Sequence, residues 1–176
     1  MSIQPSSIVE MHPGRDSARN PAGAPVRWWK QPAIEVMARS ARMGSITLDV
    51  RGRQPWFESR RLAAVAVAEL RDLAVTTQVP VYAYCVMPDH VHLVLGDSPA
   101  CDLLTFVWRF KRRLQRAAWE SGVRERLWSA SFRGHVVRHE EQLRQVASEV
   151  LENPVRRGLA RHWKEYPYVG SFELDV

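Results

Sequence analysis

Within a run that otherwise reads as buried strand, the segment Ala83-Tyr-Cys-Val-Met-Pro-Asp-His-Val-His-Leu-Val-Leu95 sets two histidines two residues apart. Side chains alternate faces along a strand, so His90 and His92 point one way while Val91, Leu93 and Leu95 point the other. The run also carries its own punctuation: Pro88-Asp89 is a turn pair, and a proline there need not donate to a ladder. A hairpin of Val81 to Val86 and His90 to Leu95 follows, with two imidazoles on one face at metal-chelating distance. Spacing alone leaves two readings open, hydrogen-bonded structural histidines or a pair of metal ligands.

The rest of the chain supplies partners for that hairpin. Ser45-Ile-Thr-Leu-Asp-Val50 alternates as a first strand should. Ser59 to Val75 reads as an alanine-rich amphipathic helix with Ser59 as its N-cap. A second helix is expected from about Asp102 to Glu120, a fourth strand over Phe132 to Arg138, a third helix over Glu140 to Glu152, and a new helical start at Asn153-Pro154. No internal repeat is visible. The order strand, helix, strand, strand, helix, strand, helix predicts an α+β, ferredoxin-like antiparallel sheet with helices packed on one face, leaving the opposite face for a site. Residues 1–26, rich in Pro, Ser, Gly and Ala without an apolar period, read as a flexible leader. Residues 27–176 read as one domain, long enough to bury a real core.

The second helix carries a separate signal. At 100° per residue Leu103, Val107, Phe110, Leu114 and Ala117 form an apolar stripe, while Arg109, Arg112, Arg113 and Arg116 fall at i, i+3, i+4 and i+7 on the other side, with Lys111 beside them. Only Glu120 lies within reach along the helix, for Arg113 or Arg116. The face is either a solvated charged surface or one that tracks phosphates. The 176-residue chain has a formal charge of +6 and 25 basic residues, only three of them lysine, and arginine forks match phosphate oxygens in pairs. Trp108, on the flank of this face, packs as core or stacks an unpaired base. Arg133, His135 and Arg138 either contact DNA or simply face solvent, and beyond Asn153 the residues Arg156, Arg157 and Arg161 either extend the basic surface or simply favour a helix C-terminus. Cys85 and Cys101 form no CxxC pattern, and no stretch reads as a secretory leader or a bilayer span, so the expected location is a reducing cytoplasm.

Five ordered blocks then carry a family resemblance: Tyr84-Cys-Val-Met-Pro-Asp-His-Val-His-Leu-Val-Leu95; Phe110-Lys-Arg-Arg113; Leu127-Trp-Ser-Ala-Ser-Phe-Arg-Gly-His-Val-Val-Arg-His-Glu-Glu141; Glu152-Asn-Pro-Val-Arg-Arg-Gly-Leu159; and Glu165-Tyr-Pro167. From about Ser45 to Phe172 the chain resembles the REP-associated tyrosine transposases, a branch of the single-tyrosine HUH transposases. The resemblance implies a single-stranded or hairpin DNA partner and a divalent Mg²⁺ or Mn²⁺ ion held by the histidine pair and a polar residue of a later helix. It also implies a tyrosine that attacks the scissile phosphate to leave a 5′-phosphotyrosine link. By the family motif His90, His92 and Asn153 match the metal positions, although an asparagine before a proline is equally a helix cap.

One departure matters. The family tyrosine stands four residues before the asparagine, one helical turn back, and here that position is Glu149. No tyrosine lies between Tyr84 and Tyr166. Strand transfer is thereby in question, and three readings follow. The first is a transposase-derived DNA-binding protein without the covalent step. The second is a metal-dependent phosphodiester hydrolase using His90, His92 and Glu149. The third is a basic, non-catalytic interaction domain. On the first reading the protein is cytoplasmic and nucleoid-associated when bound to DNA.

Overall fold

The computed structural model describes residues 43–130 and 132–174. The expected leader over 1–26, and the stretch holding Trp28 and Trp29, lie outside the described residues. Five strands form one antiparallel sheet: β1 (Met43–Asp49), β2 (Val81–Met87), β3 (His90–Gly96), β4 (Arg133–Val136) and β5 (Val169–Gly170). They lie in the order β4-β1-β3-β2-β5. Among the described residues four α-helices accompany them: α1 (Arg60–Thr77), α2 (Leu103–Glu120), α3 (Glu140–Leu151) and the short α4 (Asn153–Arg156). The βαββαβ order with β1 and β3 central is the ferredoxin-like arrangement expected from the sequence.

Local chemistry sets the helix boundaries. Ser59 caps α1, its hydroxyl accepting from the Leu62 amide at 3.4 Å, and α1 ends where Gln78 turns left-handed at φ 54°. Asp102 caps α2 by accepting from the Thr105 amide at 2.9 Å and the Thr105 hydroxyl at 2.8 Å. The apolar stripe of α2 is Leu103, Phe106, Val107, Phe110, Leu114 and Ala118, all buried, and Ala117 packs at its edge.

α1 and α2 cover one face of the sheet, over Ile46, Leu48, Tyr84, Val86, Val91, Leu93 and Leu95. α3 does not join them. Its buried residues Leu143, Val146, Ala147, Val150 and Leu151 pack on the other face, against Ala83, Cys85, Met87 and Val94. The expectation of helices on one face with the opposite face free is corrected accordingly. The reason lies in β2: its run Ala83-Tyr-Cys-Val-Met87 is apolar on both sides, and a strand apolar on both sides requires cover on both. β5, which had no counterpart in the expected strands, adds two residues to the β2 edge, pairing Val169 with Cys85 and Gly170 with Tyr84. A Cβ at Gly170 would meet the Tyr84 hydroxyl at 3.0 Å, so glycine lets this edge close. Among the described residues no helix is long and apolar enough to cross a membrane.

Candidate metal centre and its basic surroundings

Sheet register places the histidines. In the ladder of β1, β3 and β2, Asp49 stands opposite His90 and His90 opposite Met87; one step along, Thr47 stands opposite His92 and His92 opposite Cys85. β4 extends the second row by setting Arg133 opposite Thr47. Cross-strand partners share a face, so Asp49, Thr47, His90, His92 and Arg133 all lie on the side that α3 and α4 cover.

The two imidazoles meet at their outer nitrogens. His90 Nε2 and His92 Nε2 are 2.9 Å apart, with rings at 89° and centroids 4.6 Å apart. Each ring is held from behind: Asp89 Oδ1 lies 2.5 Å from His90 Nδ1 and Thr47 Oγ1 lies 3.0 Å from His92 Nδ1. With each Nδ1–H donating to its partner, both Nε2 lone pairs face one point. Such a pair suits a shared cation, and without one the other neutral tautomer of His92, its Nδ1 accepting from the Thr47 hydroxyl, turns the contact into an Nε2–H···Nε2 hydrogen bond. Protonation is disfavoured. Burial pushes the His90 pKa down against the opposing pull of Asp89. Burial, followed by the charges of His90, Arg133, Arg157 and Arg53, pushes His92 down to about 3. Burial also works against the Asp89 carboxylate, but its hydrogen bond to His90 and the charges of His90 and Arg53 outweigh this and keep its pKa below the usual range. The geometry fits the metal that the sequence resemblance implies. Two nitrogens each about 2.1 Å from an octahedral ion, at a right angle, stand about 3 Å apart.

Asn153 opens α4, which packs against β2. It does not cap that helix; the cap position is Glu152. Its side-chain nitrogen instead donates back to the carbonyls of Glu149 at 3.1 Å and Val150 at 3.3 Å, closing the end of α3. This fixes the amide with its Oδ1 free of a hydrogen bond among the described residues, and that oxygen is the atom a hard cation would take. Glu149 is exposed, and its Oε1 accepts from Gln145 on its own helix at 3.2 Å. Among the described residues no three His, Cys, Asp or Glu side chains come together as a metal-holding group, so the carboxylate does not join the pair.

Three of the four tyrosines have structural placements among the described residues. Tyr166 donates its hydroxyl to the Val86 carbonyl at 2.8 Å, and burial pushes its phenol up to about 12. Tyr168 donates to the Arg60 carbonyl at 3.3 Å, and Tyr84 is buried in the core on the α1/α2 side. Tyr82 stands at the far end of β2 from Met87, the residue opposite His90.

The expected arginine stripe divides. Arg109 and Arg112 are exposed and make no ion pair among the described residues, and Trp108 is exposed beside them. Arg116 pairs with Glu120 at 3.5 Å in solvent. Arg113 instead reaches across to α1, to Asp72 and to Glu69 at 3.4 Å. Lys111 turns inward, donating from Nζ to the Ser129 carbonyl at 3.0 Å beneath the Trp128 ring; burial pushes its pKa down to about 8. Helical periodicity shows neighbours along one helix, whereas these partners come from distant segments. Because α2 covers the face away from the histidines, its exposed stripe and the histidine pair lie on opposite sides of the sheet. The cations close to the pair are Arg53, Arg133 and Arg157. Arg53 was not among the candidate residues; the available signal was its place in the Arg-Gly-Arg turn that follows β1, close to Asp49.

Comparison with known proteins agrees with this fold. The model of the IS200-like transposase family matches residues 45–152, more than half of the chain. A Haemophilus influenzae protein named a putative REP-associated tyrosine transposase is 28% identical over 109 residues, 53% of this chain and 59% of that one. The chain thus matches somewhat over half the length of that curated relative. The solved structure of a REP-associated tyrosine transposase bound to a REP hairpin aligns with a TM-score of 0.60 at 17% identity, over 73% of this chain and 76% of that one, and shows the same fold. These matches bear out the resemblance read from the five sequence blocks. The chain belongs to the family of IS200-like transposases.

Proposed function

We propose that this chain binds single-stranded or hairpin DNA as a transposase-derived protein, holds a divalent ion at His90, His92 and Asn153, and does not carry out the covalent tyrosine step. The observation that supports it most is the convergence of two buttressed Nε2 atoms 2.9 Å apart on a sheet face rimmed by arginines. Mg²⁺ or Mn²⁺ bound there would supply Lewis-acid polarisation of a phosphate oxygen. The chain's own contributions are distinct. Asp89 fixes the tautomer of His90 and Thr47 holds the orientation of the His92 ring, the tie from Asn153 to the end of α3 orients its amide oxygen, and the basic side chains attract the phosphate backbone. The exposed Arg109, Arg112 and Arg116 on α2 would add sequence-independent affinity on the other side of the molecule. Glu149, at the family tyrosine position, offers a carboxylate that is repelled by phosphate and forms no stable phosphoester link.

Incubation of the protein with Mn²⁺ and a labelled single-stranded hairpin, resolved on native and denaturing gels, tests this. Expected are a salt-sensitive complex on the native gel, no adduct on the denaturing gel with the natural sequence, and an adduct with Glu149→Tyr. An adduct with the natural sequence would overturn the placement of the nucleophile. Metal-dependent release of 5′-phosphate ends, lost in Glu149→Ala, would show hydrolysis instead. Absence of any complex at low salt would refute DNA binding.

A further inference from the structure

Beside the histidine pair, Asp49 accepts from two arginines that come from opposite directions. Arg53 Nη1 lies 2.8 Å and Arg133 Nη2 3.0 Å from the same Asp49 oxygen, and Arg53 also reaches Asp89 at 3.4 Å. A continuous polar chain thus runs from Arg133 through Asp49, Arg53 and Asp89 to His90. Three features point to more than pairing with carboxylates for these arginines.

Arg53 sits in the left-handed region at φ 55°, directly after Gly52 at φ 64°. A non-glycine residue is held there only when its surroundings demand it, and such outliers gather at functional sites. The turn is fastened on both sides, by the Val50 amide to the Asp89 carbonyl at 2.9 Å and the Arg51 amide to the Leu127 carbonyl at 2.8 Å. The second feature is the Arg133 guanidinium, whose side chain is 37% exposed. Of its fork of five donors only Nη2 has a partner among the described residues, leaving Nη1 to take an acceptor. The third is charge. Arg53, Arg133 and Arg157 all lie near His92, against the two carboxylates of Asp49 and Asp89, so the cluster retains a positive excess before any metal ion is added.

We infer that Arg53 and Arg133, aligned by Asp49, form a phosphate clamp that grips a backbone phosphodiester of single-stranded DNA next to the one at the histidine pair. Register supports the reach: Arg133 and His92 flank Thr47 on adjacent strands, two strand spacings or about 10 Å apart. Successive phosphates of an extended single strand fall within that span. The inference rests on the DNA-binding function proposed for this chain, and metal-free conditions separate the two.

The test is fluorescence anisotropy of a labelled DNA hairpin with a single-stranded flank, in EDTA, titrated between about 50 and 200 mM salt, the range over which phosphate contacts are screened. Expected are roughly tenfold weaker binding for Arg133→Gln and for Arg53→Gln at the low-salt end, and a salt slope shallower by roughly 0.7 for each phosphate no longer neutralised. Arg133→Lys should keep the slope while losing affinity, because an ammonium restores the charge without the fork. A merely structural role would leave the slope unchanged, and unchanged slopes in both Gln variants overturn the clamp while sparing DNA binding itself. If Arg133→Gln fails to fold, Arg53→Gln decides alone, since the Arg53 side chain is 49% exposed and belongs to no core. No binding by the natural sequence at low salt, in EDTA or with Mn²⁺, would overturn both.

Discussion

Removing the groups behind the histidines should weaken metal binding in a fixed order. Asp89 holds His90 through a charge-assisted hydrogen bond at 2.5 Å, and Thr47 holds His92 through a neutral one at 3.0 Å. Charged hydrogen bonds contribute about 1.5–3 kcal/mol and neutral ones about 0.5–1.5 kcal/mol. Removing a partner behind a metal-bound imidazole typically costs about 10- to 100-fold in affinity. Asp89→Asn keeps the shape but loses the charge that raises the basicity of His90 and attracts a cation. It should therefore raise the Mn²⁺ dissociation constant about 10- to 100-fold, or roughly 1.4–2.8 kcal/mol. Thr47→Val should cost about two- to tenfold, up to roughly 1.4 kcal/mol. The accompanying loss of the half-exposed Arg53 pair to Asp89 adds little. Titration of free Mn²⁺ by electron paramagnetic resonance measures each constant, with melting curves to confirm that the variants fold. The reasoning fails if Asp89→Asn binds Mn²⁺ as the natural sequence does, or if Thr47→Val costs more than Asp89→Asn.

Lys111 gives a pH prediction. Burial pushes its pKa down to about 8 in the fold from the ordinary lysine value of 10.5, so below pH 8 both folded and unfolded chains carry the proton and the cost of burying the ammonium is present in full. Between those values the unfolded chain binds more protons, and stability rises with pH by up to about 3 kcal/mol. Denaturant melts at about pH 7 and about pH 10 should show this gain, and Lys111→Met should abolish most of it; a gain that survives the substitution would assign it elsewhere. Arg113→Ala should lower stability by about 0.5–1 kcal/mol, as expected of a partly exposed pair between helices. It should weaken hairpin binding less than Arg112→Ala, and the opposite ranking in anisotropy would return Arg113 to the DNA surface.

What was legible in the sequence was local. The alternation around Pro88-Asp89 marked the hairpin and the shared face of His90 and His92, because period two is a property of a few consecutive residues. Ser59 and Asp102 marked helix starts through the backbone amides just ahead of them. What remained hidden depends on long-range contact. Nothing in the spacing of α3 says which face it covers; that follows from the apolar residues on both sides of β2. Arg113 finds partners 41 and 44 positions away, and Lys111 finds a carbonyl 18 positions away. The helical projection counted both as surface charges for that reason. In sequence Asn153 reads equally as a cap and a ligand, and the tie of its amide nitrogen to the end of α3 removes only the cap. Arg53 depends on a left-handed turn, whose effect is to aim a side chain back at the residue four positions before it.

Anomalous scattering from crystals grown with Mn²⁺ tests the central claim most directly. The account predicts one strong peak on the sheet face, coordinated by His90 Nε2, His92 Nε2 and Asn153 Oδ1. A map with no peak between the two imidazoles, or with manganese bound only by other side chains, would contradict it.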